Sequence, residues 1–321
     1  AIATQSMRTI KSLILFFLVL TIGHSVNAQT FILSDGWQVQ SSAKVKATGA
    51  ILSTPQADTT GWYPAMVPST LMGVLTTCGA EPKALTAADY QRIDRQRFND
   101  SWWYRTSFTL PPSTLHPSPS TLLSFDGISY RANVWLNGHQ IATSEEMAGP
   151  FRQFTIDVTP YVRQQNVLAV EVFRAQPGEP NIGFVDWNPR PADESMGIFR
   201  EVTVKCCGAV SVAHTAVHSK VNTTTLEEAW LTISTFLTNH SDQPVEGTLI
   251  GTIEGRQFKA PVTLSPHERR MVQLVSDAPI QHPRLWWCHN MGKPELYNLH
   301  VEFLEGNRLS DFEDIRFGIR Q

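Results

Sequence analysis

The residues best equipped for chemistry in this chain stand together in one short stretch, Asp186-Trp187-Asn188-Pro189-Arg190-Pro191-Ala192-Asp193. An indole beside a carboxylate can grip a sugar. The ring covers an apolar sugar face, and the carboxylate accepts hydrogen bonds from hydroxyls. Pro189 and Pro191 fix φ close behind and restrict the shapes the loop can take. The same residues also fit a plain turn stiffened by proline, with Trp187 plugging a core. Met196-Gly197-Ile198-Phe199-Arg200-Glu201-Val202 follows, so the loop runs straight into a strand.

Other reactive arrangements are missing from the sequence. There is no Gly-x-Ser-x-Gly nucleophile elbow and no glycine-rich phosphate loop. Glu145-Glu146 and Asp193-Glu194 are adjacent acids. Neighbours on a strand point to opposite faces, so neither pair makes a dyad, and both are expected as solvated turn acids. His214 and His218 have the i, i+4 spacing of a helical metal pair, yet Val210, Val212, Val217 and Val221 around them read as a strand. On a strand the two imidazoles stand roughly 13 Å apart, too far for one ion. Neither a metal nor a cofactor is expected. The four cysteines, Cys78, Cys206, Cys207 and Cys288, allow three pairings, and the sequence leaves the choice open. Cys206 and Cys207 face opposite sides of a strand and cannot bond to each other without strain.

Composition sets the frame. A 42% hydrophobic share and a 17% charged share supply a sizeable core, and the length of 321 residues suits two ordinary domains. The net charge of -3, with no Lys/Arg run, argues against nucleic acid and anionic membrane surfaces as partners. Residues 1–28 read as an export signal, with Ala1 to Ser6 as extra residues ahead of it. Met7-Arg8-Thr9-Ile10-Lys11 is basic, Leu13 to Ile22 is apolar, and Val26-Asn27-Ala28 offers the small residue needed at a cleavage site. The apolar run is shorter than the roughly 20 residues of a membrane span. The mature chain is therefore expected to begin at Gln29, without a span, in the periplasm or outside the cell.

Short strands must position the loop. Thr121 to Phe125 runs into Asp126-Gly127, a hairpin-type turn signal, and Ala132 to Leu136 runs into Asn137-Gly138, a stronger one. Phe154 to Val158, Asn166 to Phe173 and Ile198 to Lys205 read as further strands, and Ala87 to Arg97 as a short helix or excursion. A boundary falls near Cys207-Gly208. Strands then recur at Val210 to Val221, Ala229 to Thr238, Gly247 to Glu254, Ala260 to Leu264, Arg270 to Val275 and Tyr297 to Phe303. That spacing, over about 110 residues, fits an immunoglobulin-like sandwich. The predicted fold is all-β: a jelly-roll-like sandwich over 29–207, then an immunoglobulin-like sandwich over 208–321.

Several of these segments, in colinear order, resemble glycoside hydrolase family 2. Trp102-Trp103-Tyr104-Arg105-Thr106-Ser107-Phe108 is similar to the "W-Y-R-x-x-F" strand of its galactose-binding-like domain. Phe125-Asp126-Gly127-Ile128, with Ala132-Asn133-Val134-Trp135-Leu136-Asn137-Gly138, resembles that domain's central strands. Gly197-Ile198-Phe199-Arg200-Glu201-Val202 is similar to "G-I-(W/F)-R-x-V". Trp286-Trp287-Cys288-His289-Asn290-Met291-Gly292-Lys293-Pro294-Glu295-Leu296-Tyr297 resembles the end of the family's immunoglobulin-like domain, and Asp314 to Arg320 the segment that leads into its catalytic barrel. Within the family the likeness leans to exo-β-glucosaminidases and β-mannosidases. The mannosidase loop reads "W-D-W-G-P". Here Val185 stands in place of its first Trp and Asn188 in place of Gly, which favours the glucosaminidase side.

The resemblance implies a retaining β-glycosidase acting at the non-reducing end of a glycan. Its two catalytic carboxylates, roughly 5 Å apart, belong to a barrel that would follow Gln321. It implies no catalytic residue within these 321 residues. Asp186 and Trp187 become substrate-binding residues, with a β-linked carbohydrate and the chain's own barrel as partners. The other reading is a stand-alone carbohydrate-binding or adhesion module.

Overall fold

The computed structural model describes residues 28–83, 86–115, 120–180 and 190–321. Two antiparallel sheets form the first sandwich. One has the strand order Gln29–Ile32, Val202–Cys207, Ser120–Phe125, Phe154–Asp157. The other runs Tyr63–Ala65, Trp37–Ser41, Trp102–Thr109, Gln165–Phe173, Arg131–Leu136, His139–Ala142. Period-two alternation aims one face of each strand inward. In the larger sheet Val39, Tyr104, Val170 and Val134 stand side by side on four neighbouring strands, all fully buried. Leu123 and Phe125 of the smaller sheet share their core. Burying each such side chain contributes about 1.5–3 kcal/mol, so the layer-to-layer contact rather than any single turn holds the sandwich.

The hairpin expected at Asp126-Gly127 is not formed. Ser120–Phe125 pairs with Val202–Cys207 and Phe154–Asp157, whereas Arg131–Leu136 lies in the opposite sheet. The turn carries the chain across the core, where Asp126 N–H donates to the Glu201 carbonyl at 3.0 Å. Local turn chemistry reports a reversal but not which sheet receives the next strand. At Asn137-Gly138 the two-residue hairpin does form, with Leu136 opposite His139. Ile198 to Lys205 is split into Gly197–Ile198, paired with Ile128–Ser129, and Val202–Cys207. Ala87–Gln91 is a short helix closed by a Thr86/Asp89 capping box, and a 3-10 turn follows at Arg95–Phe98.

The second sandwich stacks Val210–Val221, Glu228–Asn239 and Arg269–Val275 on a sheet ordered Arg256–Leu264, Val245–Ile253, Tyr297–Glu305, Arg308–Phe317. Its core includes Leu231, Ile233, Leu249, Leu299, Val301 and Phe303. Arg308–Phe317, read from the sequence only in its last residues and as a lead-out, is an edge strand paired along Tyr297–Glu305. The chain is all-β, as two sandwiches. No disulfide links the four cysteines among the described residues. Cys206 and Cys207 are buried, and burial pushes both thiols up from the ordinary cysteine value.

Candidate functional site

Asp186 and Trp187 lie outside the described residues. The structure does describe the two stems between which they sit. On the leading side, Gln165–Phe173 crosses the centre of the larger sheet and delivers the chain to Glu179. Glu179 pairs with Arg131 and accepts the Gln176 N–H at 2.7 Å. The stem is therefore fastened to the strand beside it.

The trailing stem, Arg190 to Ile198, is fastened more heavily. Asp193 is 2% exposed. One carboxylate oxygen accepts the Met72 N–H at 2.8 Å, and the other accepts the Ser195 N–H at 3.0 Å. Met72 is in the first turn of the helix Leu71–Thr77, where N–H groups have no partner within the helix and the helix dipole favours a negative charge. Burial raises the Asp193 pKa above the ordinary carboxylate value, and the hydrogen bonds from Met72 and Ser195 oppose that rise. Glu194, 9% exposed, holds Arg190 at 3.1 Å, and Arg95 donates to the Arg190 carbonyl at 3.0 Å.

The expectation that Asp193 and Glu194 are solvated turn acids is therefore overturned. A helix N-terminus and an arginine satisfy them inside the fold. Two backbone bonds complete the clamp: Leu71 N–H to the Met196 carbonyl (2.7 Å) and Ser69 N–H to the Ile198 carbonyl (2.9 Å). Gly197 between them has φ +139°, and a Cβ there would lie 2.8 Å from Leu71 N and from the Ser69 carbonyl oxygen. Only glycine lets the backbones approach so closely. Tyr104 lies deep behind this stem. Its hydroxyl is fully buried without a hydrogen-bond partner, and burial, then the Asp193 charge, drives its pKa upward.

These groups can position a loop, but they are poorly placed to transfer protons. Asp193 has both oxygens on backbone N–H groups, and Glu194 is ion-paired. Glu145 and Glu146 are exposed, with Glu146 closing its own turn onto Thr143. His214 and His218 are exposed on the strand Val210–Val221, which carries a bulge between Ala213 and Ala216. The sequence singled out the loop but not its clamp. Asp193 was visible as an acid, whereas its helix partner lies 121 positions away.

Comparison with known proteins extends this picture. A family model described as "Glycosyl hydrolase 2 galactose-binding domain-like" matches residues 37–182, and one described as "Glycosyl hydrolases family 2" matches residues 210–320. An exo-beta-D-glucosaminidase of Streptomyces avermitilis is 35% identical over 294 residues, 89% of this chain and 32% of that protein. The crystal structure of Amycolatopsis orientalis exo-chitosanase CsxA superposes with a TM-score of 0.84 at 31% identity, covering 91% of this chain and 34% of that one. A complex of CsxA with PNP-beta-D-glucosamine gives 0.82 at 32% identity, covering 92% and 34%. The chain thus spans about a third of the length of the relatives it matches.

Proposed function

This chain belongs to glycoside hydrolase family 2, and on that premise we propose that it is the amino-terminal, substrate-side part of an exported, exo-acting retaining β-glycosidase of the glucosaminidase type. The observation that carries this reading is the match to exo-β-glucosaminidases along both sandwiches. In the proposed enzyme the sandwich over 29–207 and the immunoglobulin-like unit over 208–321 support the substrate site. A following barrel supplies the acid/base and the nucleophile. Asp186 reaches the terminal sugar, and Trp187 covers an apolar face of it. A carboxylate accepts charge-assisted hydrogen bonds, which suits the ammonium group of glucosamine as well as a hydroxyl pair. The clamp at Asp193 and Gly197 keeps the loop stem from moving, so less freedom is lost when sugar binds. Export by the segment Met7 to Ala28 would bring the enzyme to an external polysaccharide, and mass spectrometry of the secreted protein should find Gln29 at its amino terminus.

The test compares two proteins. Residues 29–321 alone should release no aryl group from chromogenic β-glucosaminides, β-mannosides, β-galactosides or β-glucuronides. The full-length product of the gene should release it from the β-glucosaminide. Turnover by residues 29–321 that survives repurification would overturn the division of labour. A full-length protein that prefers the β-mannoside would overturn the sugar.

A further inference from the structure

A cleft of about 280 Å³ opens where the two sandwiches meet, and both contribute walls to it. One wall is the outer face of the four-stranded sheet in the first sandwich. The inner face of that sheet feeds the core through Val204 and Leu123, so alternation turns Thr203, Lys205 and Ser124 outward. Thr203, Ser124 and Thr155 stand side by side on neighbouring strands, and the Ser124 and Thr155 hydroxyls are hydrogen-bonded at 2.9 Å. The facing wall is built from the start of Val210–Val221, joined by Thr238, His240 and Arg269. There Ser211 and His240 are hydrogen-bonded at 2.8 Å. The bulge between Ala213 and Ala216 places His214 at φ +57°. Such bulges re-aim a side chain, and His214 lines the cleft.

Among the described residues, every polar side chain that lines the cleft carries a hydrogen-bond donor, and no Asp or Glu lines it. Lys205 gives two donors to the Val212 carbonyl (3.0 Å) and Asp311 (2.8 Å), which leaves it a third. Arg269 has no carboxylate partner among the described residues. Its guanidinium stacks 4.0 Å from the Phe236 ring centre, and the His214 ring meets the same phenylalanine edge-on at 6.2 Å. One aromatic ring thus steadies both side chains without neutralising either. Asp157, on the outer face of the sheet, is occupied by its own turn, where it accepts the Thr159 N–H (3.0 Å) and hydroxyl (2.5 Å). A donor-rich lining without acids repels an ammonium group and suits an oxyanion. The cleft is also larger than a bare sulfate or phosphate, and its hydroxyl wall can meet the hydroxyls of an attached sugar ring.

We infer that the cleft between the sandwiches binds an oxyanion carried on a sugar, with Arg269, His214 and the third Lys205 donor around the anion and Thr203, Ser124 and Thr155 toward the ring. The anion is a sulfate, phosphate or carboxylate group. None of the lining residues belongs to the Asp186 loop or its stems, so the site stands whatever sugar that loop takes. Because its walls come from both sandwiches, the ligand binds the folded junction and not the unfolded chain, and it raises the melting temperature.

Calorimetric titration and thermal melts of the full-length protein test this with glucose 6-sulfate, sodium sulfate and glucose. Glucose 6-sulfate should bind saturably and raise the melting temperature, and glucose should bind at least about tenfold more weakly. Arg269→Ala should weaken the sugar ester at least about tenfold, the scale of one lost charge-assisted hydrogen bond. Thr203→Val keeps the shape of the opposite wall while removing a hydroxyl, and it should weaken the ester without changing the melting temperature of the unliganded protein. Sodium sulfate that binds as tightly as the ester would keep the anion site and overturn the attached sugar. An ester that binds wild type and both variants equally, or that shows no saturable binding to wild type, overturns the site. Activity on a β-glucosaminide, measured in the same samples, reports on the Asp186 reading separately: ester binding by an inactive protein would overturn that reading alone.

Discussion

Asp193→Ala tests the clamp most directly, because one side chain ties the loop stem to a distant helix. The substitution removes both acceptors, for Met72 N–H at 2.8 Å and Ser195 N–H at 3.0 Å. Losing a capping acceptor at a helix N-terminus costs about 1 kcal/mol, and a second, half-buried N–H left unpaired costs about 1 kcal/mol more. Opposing this, burial outweighs the hydrogen bonds and raises the Asp193 pKa, so the ionised carboxylate carries a desolvation cost that alanine lacks. The net loss at neutral pH is therefore about 1–2 kcal/mol, a fall in melting temperature of about 3–6 °C for the first sandwich.

The pH dependence has a definite sign. Because the folded-state pKa is raised, the stabilisation is fully present below the ordinary value of 3.8 and is lost as pH rises through the folded value. The gap between the wild type and Asp193→Ala should be widest in acid and narrow towards neutrality. Circular dichroism melts across that range, with hydrogen exchange of the Met72 amide, measure both. Unchanged melting and unchanged exchange would show that Asp193 does not hold the stem. A gap that widens with rising pH would show that the fold favours the carboxylate over the protonated acid.

Gly197→Ala should cost at least about 2 kcal/mol, because φ +139° and contacts of 2.8 Å with the Ser69–Leu71 backbone leave no room for a Cβ; the urea midpoint reads this, and an unchanged midpoint refutes it. His240, half-buried and hydrogen-bonded with Ser211 at 2.8 Å, has its pKa lowered from 6.5, chiefly by partial desolvation of the ring. Its contribution is present above 6.5 and lost as pH falls through the folded value, so His240→Gln should lose less melting temperature than the wild type on acidification. In the full-length protein, Asp186→Ala should lower kcat/KM at least about tenfold, equivalent to about 1.4 kcal/mol, with little change in melting temperature. Unchanged kinetics with a lowered melting temperature would make Asp186 a structural residue.

Much of the fold was legible because strand alternation is local. Ala132, Val134 and Leu136 are spaced to enter one core, and Asn137-Gly138 encodes its own reversal. What escaped was set by partners remote in sequence. Asp126-Gly127 looks like a hairpin turn, yet the next strand joins the opposite sheet because both layers must share Leu123, Phe125 and Val134 in one core. The edge strand Arg308–Phe317 carries Arg308, Asp311, Glu313, Asp314 and Arg316, a charge pattern that conceals a strand half open to solvent. At the loop, Trp187 and Asp186 announced themselves by type. Asp193 did not, because a buried acid and a solvated acid are the same letter until the helix N-terminus is in place.

The clamp matters beyond its own loop because the two sandwiches are joined without slack. Val202–Cys207 passes into Val210–Val221 across two residues, and Ala209 is buried. Gly208 N–H donates to the Ser310 carbonyl, and the Ser310 hydroxyl both accepts the Val210 N–H and donates to the Val210 carbonyl. Lys205, in the first sandwich, reaches the Val212 carbonyl at 3.0 Å and Asp311 at 2.8 Å in the second. Asp311 is 1% exposed and accepts the Val212 N–H at 2.7 Å, so its charge has both an ion pair and a backbone donor, which a buried carboxylate requires. A hinge needs backbone groups free to exchange partners, and here the joining residues spend theirs on the edge strand Arg308–Phe317. Motion between the sandwiches would have to break the Lys205–Asp311 pair and the Ser310 bonds together. The stem at Asp193 and the strand Arg308–Phe317 therefore belong to sandwiches whose relative motion would cost several paired polar groups at once.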